Sequence, residues 1–286
     1  MSREQPLRGK SIVVTGAGRG LGRAFALSAG RHGAAVVVND VDVAEADDVA
    51  DEMKNLGYVA SVVHGSVADA SVAEALVAEC VGRYGALDGF VNNAGVFHSS
   101  SIVDEEEERI RRIVDINLVG TLLCGARALA AMEAQGHGSL VNVTSGSMLG
   151  RPHQSAYGAT KGAVVSATYA WALEFQRSGI RVNAVAPRAR TRLTALVADR
   201  KVEDSQPQPD QIAPLVTFLL SDASQPITGQ VMRLDGSALS VLRPSRFSGT
   251  AATRSDWSVD AVADALENEL RDDLAALPDW GHISVV

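Results

Sequence analysis

Four short apolar, β-branched runs, "SIVVTG" (11–16), "AAVVVND" (34–40), "YVASVVHG" (58–65) and "LDGFVNNAG" (87–95), alternate with segments of helical period at 21–32, 43–56 and 69–84. This alternation constrains the fold more than any other feature. Runs that are apolar on both faces suit strands covered from both sides. Strands that alternate with helices pair in parallel through right-handed crossovers. The rhythm continues with a long helix at 104–134, a strand at 138–145, a helix at about 155–178 and a strand at 180–187, then a helix near 209–221 and a strand at 230–236. About seven strands and six helices predict an α/β fold, a doubly wound parallel sheet with helices on both faces.

Two stretches break the rhythm. The polar stretch 188–208 lies between a strand and a helix. In an open α/β sheet an insertion there falls at the ligand crevice. From 243 the chain turns loop-like, and Ser258 then reads as the N-cap of a helix with Val259, Val262, Ala263, Leu266, Leu270 and Leu274 on one face. The expectation is a catalytic domain over 1–242 and a C-terminal helical extension over 243–286. An amphipathic helix does not stay folded alone, so this one is expected to dock on the main domain or on a neighbouring subunit.

A net charge of -8, from 26 Lys+Arg against 34 Asp+Glu, argues against nucleic acid and against anionic membrane as partners. The run "DEEEER" (104–109) reads as the solvated start of a helix, where carboxylates favour the positive end of the dipole. Cys80 and Cys124 stand in apolar contexts without metal-ligand spacing, so they read as buried thiols in a reducing compartment, and no metal is expected. The N-terminus lacks an apolar signal core and no apolar run approaches the roughly 20 residues of a membrane span, which makes a cytoplasmic location the default.

"TGAGRGLG" (15–22) follows the first strand and opens the first helix. Gly16, Gly20 and Gly22 permit a tight turn and close approach of backbone to a pyrophosphate at the helix N-terminus. Asp40 closes the second strand 18 residues beyond Gly22, where a carboxylate would take the adenosine ribose hydroxyls. Arg19 could instead pair with the 2′-phosphate of NADP. A carboxylate at Asp40 would repel that phosphate, so NAD is expected and NADP is the weaker alternative.

Further pieces come in a fixed order: "NNAG" (92–95), Asn117 in "DINLVG", Ser145 closing "VNVTS", Tyr157 and Lys161 in "YGATK", "RVNAVAP" (181–187) and "ITGQVMRLDG" (227–236). Together with the glycine loop, they resemble the short-chain dehydrogenase/reductase family across about residues 8–240. The resemblance implies a Rossmann-type domain and an enzyme acting on a CH–OH group. It also implies that Asn117, Ser145, Tyr157 and Lys161 match the family's catalytic four. Cofactor contacts would come from Gly16, Arg19, Gly20, Leu21, Gly22, Asp40, Ser66, Val67, Asn93, Ala94, Gly95, Tyr157, Lys161, Pro187 and Thr191.

The chemistry asks for these residue types. Taking hydride from a secondary alcohol needs a base for the hydroxyl proton, and reduction needs the same group to return it. Tyrosine is a poor base, with an unperturbed pKa of ~10. A nearby lysine ammonium and a positive nicotinamide would favour tyrosinate and draw that value toward neutrality. Tyr157 and Lys161, four apart on a helix, share a face. Ser145 would bond the substrate oxygen, and Asn117 would support a water relay to Lys161.

The chain departs from the family pattern in places. Ser145 stands 12 residues before Tyr157, one fewer than usual, with Thr144 as the alternative hydroxyl. Ser66 replaces the acid common after the third strand, Arg188 follows Pro187 where the family has Gly, and Ser237 follows Gly236. "APRARTRLT" (186–194) and "VVVND" resemble the hydroxyacyl-CoA dehydrogenase part of peroxisomal multifunctional enzymes, in which Thr191 would meet the nicotinamide amide.

The substrate wall is expected from 96–100, 146–154 and 188–208, with Val96, Phe97, Met148 and Leu149 apolar and His98 and His153 nearby. Arg188, Arg190 and Arg192 read either as a handle for a CoA phosphate or carboxylate, or as a solvated cluster. The expected substrate is a secondary alcohol or ketone, of the 3-hydroxyacyl-CoA or hydroxy-lipid kind. A steroid, cyclic or terpenoid alcohol is the alternative, and a non-catalytic NAD-binding sensor or scaffold is the reading from another class. The resemblance also implies a homotetramer or homodimer with the helices at 104–134 and 155–178 at the interfaces. Covering of a partner's site by the tail helix is a further expectation.

Overall fold

The computed structural model describes residues 5–189, 206–244 and 249–274. The chain divides into two compact units, 1–242 together with 286, and 243–285.

In the first unit strands and helices alternate: β1 (Ser11–Val14), α1 (Gly20–Arg31), β2 (Ala35–Asp40), α2 (Val43–Asn55), β3 (Val59–His64), α3 (Ala70–Tyr84) and β4 (Gly89–Asn92). Then come α4 (Glu107–Val114), α5 (Gly120–Gln135), β5 (Gly138–Val143), α6 (Ser155–Glu174), β6 (Ile180–Val185), α7 (Pro209–Leu220), β7 (Val231–Leu234) and β8 (Leu239–Val241). The strands form one sheet in the order β3-β2-β1-β4-β5-β6-β7-β8, parallel throughout except for the antiparallel β7–β8 pair. This is the doubly wound layout, with the strand order reversing between β1 and β4, where ligands bind in such sheets.

Alternating residues of each strand face opposite helical layers. Val14, Val36, Val38, Val91 and Val141 pack with Phe25 and Ala29 of α1 and Ile212, Val216 and Leu219 of α7. Val13, Val37, Phe90 and Leu140 pack on the other side with Leu76 of α3 and Ala128, Leu129 and Met132 of α5. Cys80 and Cys124 belong to that second layer, and burial pushes both thiols up to about 12. The helical run Glu107–Gln135 is long and apolar enough, by length and composition, to cross a membrane. Several of its apolar residues belong instead to this second core layer.

Three expectations are corrected. The long helix at 104–134 begins at Glu107, with Glu107 and Glu108 in its first turn, and is interrupted by a π-helical turn at Asp115–Val119. The helix expected to reach 178 stops at Glu174. β8 is an eighth strand beyond the expected seven, and its three residues are all exposed and carry no burial pattern.

The second unit begins its helical part with α8 (Val259–Asp264), whose N-cap Ser258 accepts from the Ala261 N–H. Instead of one amphipathic helix, a π turn (Ala265–Glu269) and a 3-10 turn (Arg271–Asp273) follow. Within this unit Arg254 pairs with Asp264 and Glu269 and lies over the Trp257 ring.

Candidate active site

The loop after β1 is held by contacts that leave no room for side chains. A Cβ on Gly22 would lie 2.0 Å from the Gly16 carbonyl oxygen, and one on Gly16 would lie 2.7 Å from Ala94 Cα. Gly16 and Gly20 also adopt left-handed φ values of 59° and 54°, which glycine takes without strain. Thr15 and Asn93 tie this loop to β4. The Thr15 hydroxyl oxygen accepts from the N–H groups of Asn93 and Ala94, and the Asn93 amide donates to the carbonyls of Thr15 and Gly16. Arg19, the N-cap of α1, provides no side-chain cap, while Leu21 packs against the core. An uncapped helix start behind a glycine cradle fits the pyrophosphate of a dinucleotide.

Asp40 is buried at the end of β2. Its Oδ2 accepts from Gly18 N–H at 3.0 Å and its Oδ1 from Asp42 N–H at 3.1 Å. An ionised carboxylate offers about four lone-pair sites, so capacity for ribose hydroxyls remains. Gly18, whose role depends on a contact with the distant Asp40, is needed here, because a Cβ on it would lie 3.0 Å from Asp40 Oδ2. Arg19 pairs with Glu45 at 3.0 Å, which offsets the charge that a 2′-phosphate would use. Beyond β3, the Ser66 hydroxyl accepts from Ala68 N–H. Val67 is buried, and a Cβ on Gly120 of α5 would strike it.

The residues expected at the reacting end lie where β4, β5 and α6 meet. Asn117 is fully buried on the π turn, and its amide pairs reciprocally with the backbone of Val96, at 2.7 Å to its N–H and 2.8 Å to its carbonyl. Gly95 stands between Asn117 and Lys161. A Cβ there would lie 3.2 Å from Asn117 Oδ1 and 3.6 Å from Lys161 Nζ.

Ser145 and Thr144 have separate tasks. The Thr144 hydroxyl donates to the Lys161 carbonyl at 2.8 Å, inside the packing of β5 against α6. The Ser145 hydroxyl faces the Tyr157 hydroxyl and accepts from Ser147 N–H at 3.2 Å. The Ser147 hydroxyl in turn donates to Gln154 at 2.6 Å. Gly158 lets this turn approach α6, since a Cβ would lie 2.6 Å from the Ser147 carbonyl oxygen.

Burial raises the Tyr157 phenol above its ordinary value, and the Ser145 hydrogen bond opposes that rise. The expected fall toward neutrality is not what the chain produces by itself. Lys161, 5.8 Å from the Tyr157 ring centroid, donates to the Val143 carbonyl at 2.8 Å, and its burial draws its own pKa down to about 8. The Phe97 ring meets the Tyr157 ring edge-on at 4.9 Å, a contact that spacing along the chain does not reveal.

Of the residues expected to wall the substrate, Met148 is partly buried and Leu149 is exposed. The His153 carbonyl accepts from Ser99 and Ser100, and His98 Nε2 lies 3.0 Å from Arg109 Nη1 and 3.6 Å from Glu105 Oε1. Pro187 and Arg188 follow β6. Thr191, Arg190 and Arg192 lie outside the described residues. Among the described residues no group of three or more His, Cys, Asp or Glu could hold a metal ion.

Comparison with known proteins matches residues 10–202 to the family described as short chain dehydrogenase. The chain is 38% identical over 240 residues to cis-4-hydroxycyclohexanecarboxylate dehydrogenase of Sinomonas cyclohexanicum, covering 80% of this chain and 96% of that one. It is 32% identical over 240 residues to a 3-oxoacyl-[acyl-carrier-protein] reductase of Thermotoga maritima, covering 80% and 98%. Among solved structures, a short chain dehydrogenase from Mycobacterium avium superposes with a TM-score of 0.85 at 29% identity, covering 95% of this chain and 98% of that chain.

Proposed function

The chain belongs to the short-chain dehydrogenase family, and from that premise we propose that it is an NAD-dependent oxidoreductase interconverting a secondary alcohol and a ketone. The observation that carries the reading is the Ser145 hydroxyl facing the hydroxyl of half-buried Tyr157, with Lys161 Nζ 5.8 Å from the Tyr157 ring centroid, one turn further along α6. The bound nicotinamide cofactor supplies the hydride acceptor or donor.

Ser145 positions the substrate oxygen and Tyr157 takes or returns its proton. Lys161 and Asn117 hold the far side of the same crevice. Gly16, Gly20, Gly22 and the start of α1 would hold the pyrophosphate, Asp40 the adenosine ribose, Ser66 and Val67 the adenine side, and Asn93, Ala94, Gly95 and Pro187 the nicotinamide side. Asp40, together with the Arg19–Glu45 pair, supports NAD over NADP.

The relatives act on a hydroxycyclohexanecarboxylate and on 3-oxoacyl groups. Both a cyclic alcohol and a hydroxyacyl compound are therefore in the proposed substrate class. Exposed Val119, Leu122 and Leu173 on α6 and on the helical run before β5 support a homo-oligomer.

The test is NADH formation with the purified protein on a panel of secondary alcohols: cyclohexanol, 3-hydroxybutyrate, a hydroxycyclohexanecarboxylate and 3-hydroxybutyryl-CoA. Turnover of at least one with NAD is expected, and a clear preference for NADP would overturn the cofactor assignment.

A further inference from the structure

Arg233 stands on β7, and its guanidinium occupies the space that a side chain at position 146 would need. A Cβ on Gly146 would lie 2.3 Å from Nη2. Gly146 directly follows Ser145, so the guanidinium lies against the residue next in the chain to the one whose hydroxyl faces Tyr157. The side of the sheet agrees. Val231 packs with Val165 of α6, and Arg233, two residues on, has the same face.

The guanidinium makes no hydrogen bond and no close ion pair with the described residues. Arg188, just beyond β6, adds a second cation, and its buried Nε has no hydrogen-bond partner among the described residues. Both arginines act on Asp235, whose carboxylate is held below its usual range chiefly by the Ala238 N–H. That carboxylate is committed to its own turn, accepting from Ala238 N–H at 2.9 Å and Ser237 N–H at 3.4 Å. Two cations against one such carboxylate leave positive charge and unused Arg233 donors against Gly146.

We propose that Arg233, with Arg188 as the second cation, forms an anion-binding subsite that takes the carboxylate of a small hydroxy acid whose carbinol lies between Ser145 and Tyr157. This rests on the alcohol-oxidoreductase reading above and narrows its substrate class. A guanidinium fork matches a carboxylate in two parallel hydrogen bonds, and a partly buried cation with no hydrogen bond to the described residues gains most from one. With the guanidinium against the residue that follows Ser145, the proposed substrate carries its charge only a few bonds from the carbinol carbon. A coenzyme A thioester presents a neutral thioester carbonyl at that distance, so the free acid is the committed ligand.

The test compares kcat/KM for 3-hydroxybutyrate and for a hydroxycyclohexanecarboxylate with that of the methyl ester of each, alongside cyclohexanol and 3-hydroxybutyryl-CoA. The wild type is expected to favour each acid over its ester by about 10- to 100-fold, the value of a charge-assisted pair. Arg233→Met should bring that ratio toward one, and Arg233→Lys should keep part of it. Gly146→Ala, which displaces the guanidinium without removing it, should lower the ratio in the same direction. If Arg233→Met does not fold, the wild-type and Gly146→Ala ratios decide the matter.

Equal rates for acid and ester in the wild type, with cyclohexanol still oxidised, would overturn the subsite and leave the oxidoreductase reading standing. So would a preference for the thioester, or an unchanged ratio in folded Arg233→Met. No turnover of any alcohol with NAD or NADP would remove both.

Discussion

Lys161 donates a 2.8 Å hydrogen bond to the carbonyl of Val143, which fixes its ammonium at the end of β5 rather than on the Tyr157 hydroxyl. The lysine is buried, and desolvation brings its pKa from 10.5 to about 8. Between those two values the unfolded chain holds a proton that the folded one has lost, so stability rises with pH across that window. Below about 8 the folded state bears the full cost of the buried charge, roughly 3 kcal/mol.

Lys161→Met therefore gains stability over wild type at pH 7, and the gain shrinks as pH rises from 8 to 10. Urea melts of both proteins without cofactor at the two ends of the range measure it. A difference that stays flat with pH would show that the ammonium is better solvated than its burial implies.

Thr144 and Ser145 should separate in their effects. Ser145→Ala removes the donor facing Tyr157 and is expected to lower kcat by about 10²- to 10³-fold, as for other donors to a reacting oxygen, with NAD affinity kept. Thr144→Val leaves the Lys161 carbonyl without its 2.8 Å donor and should cost about 1–3 kcal/mol of stability, with a smaller effect on kcat. Steady-state kinetics and thermal melts of both variants decide. The opposite pattern would move the catalytic hydroxyl to position 144.

Gly22→Ala places a methyl group 2.0 Å from the Gly16 carbonyl oxygen, a backbone atom that no rotamer change can move. The glycine loop must then deform. Loss of measurable NAD binding is expected, with destabilisation of at least about 1–3 kcal/mol. Titration of NADH fluorescence checks it, and wild-type affinity in the variant would contradict the cradle.

Asp40→Ser removes the carboxylate and should relax the preference for NAD over NADP by about 10-fold or more, since a like charge no longer opposes the 2′-phosphate. It also releases the Gly18 and Asp42 N–H groups, so a stability loss of about 1 kcal/mol accompanies it. The ratio of kcat/KM for the two cofactors is the measurement, and an unchanged ratio would place the discrimination elsewhere.

Much of this arrangement is written locally in the chain. Strand–helix alternation reports the parallel sheet because each run is covered on both faces, and the glycines at 16 and 22 report a turn with no space for Cβ. What stayed hidden depends on contacts distant in sequence. The π turn at Asp115–Val119 keeps a helical pattern, so nothing in its composition announces the break that carries Asn117. The choice between Thr144 and Ser145 rests on the twist of the strand end into the 3-10 turn at Gly146–Leu149. Arg233 reads in sequence as an ordinary strand charge, and only the folded sheet brings it onto Gly146. β8 is too short and too exposed to show a period.

The central claim is that Tyr157 transfers the proton, and Tyr157→Phe tests it most directly. The ring stays to meet Phe97, so the site keeps its shape while the hydroxyl is gone. The expected result is NADH binding within about threefold of wild type, with alcohol oxidation lowered by at least about 10²-fold at every pH. Turnover close to wild type in this variant would contradict the account.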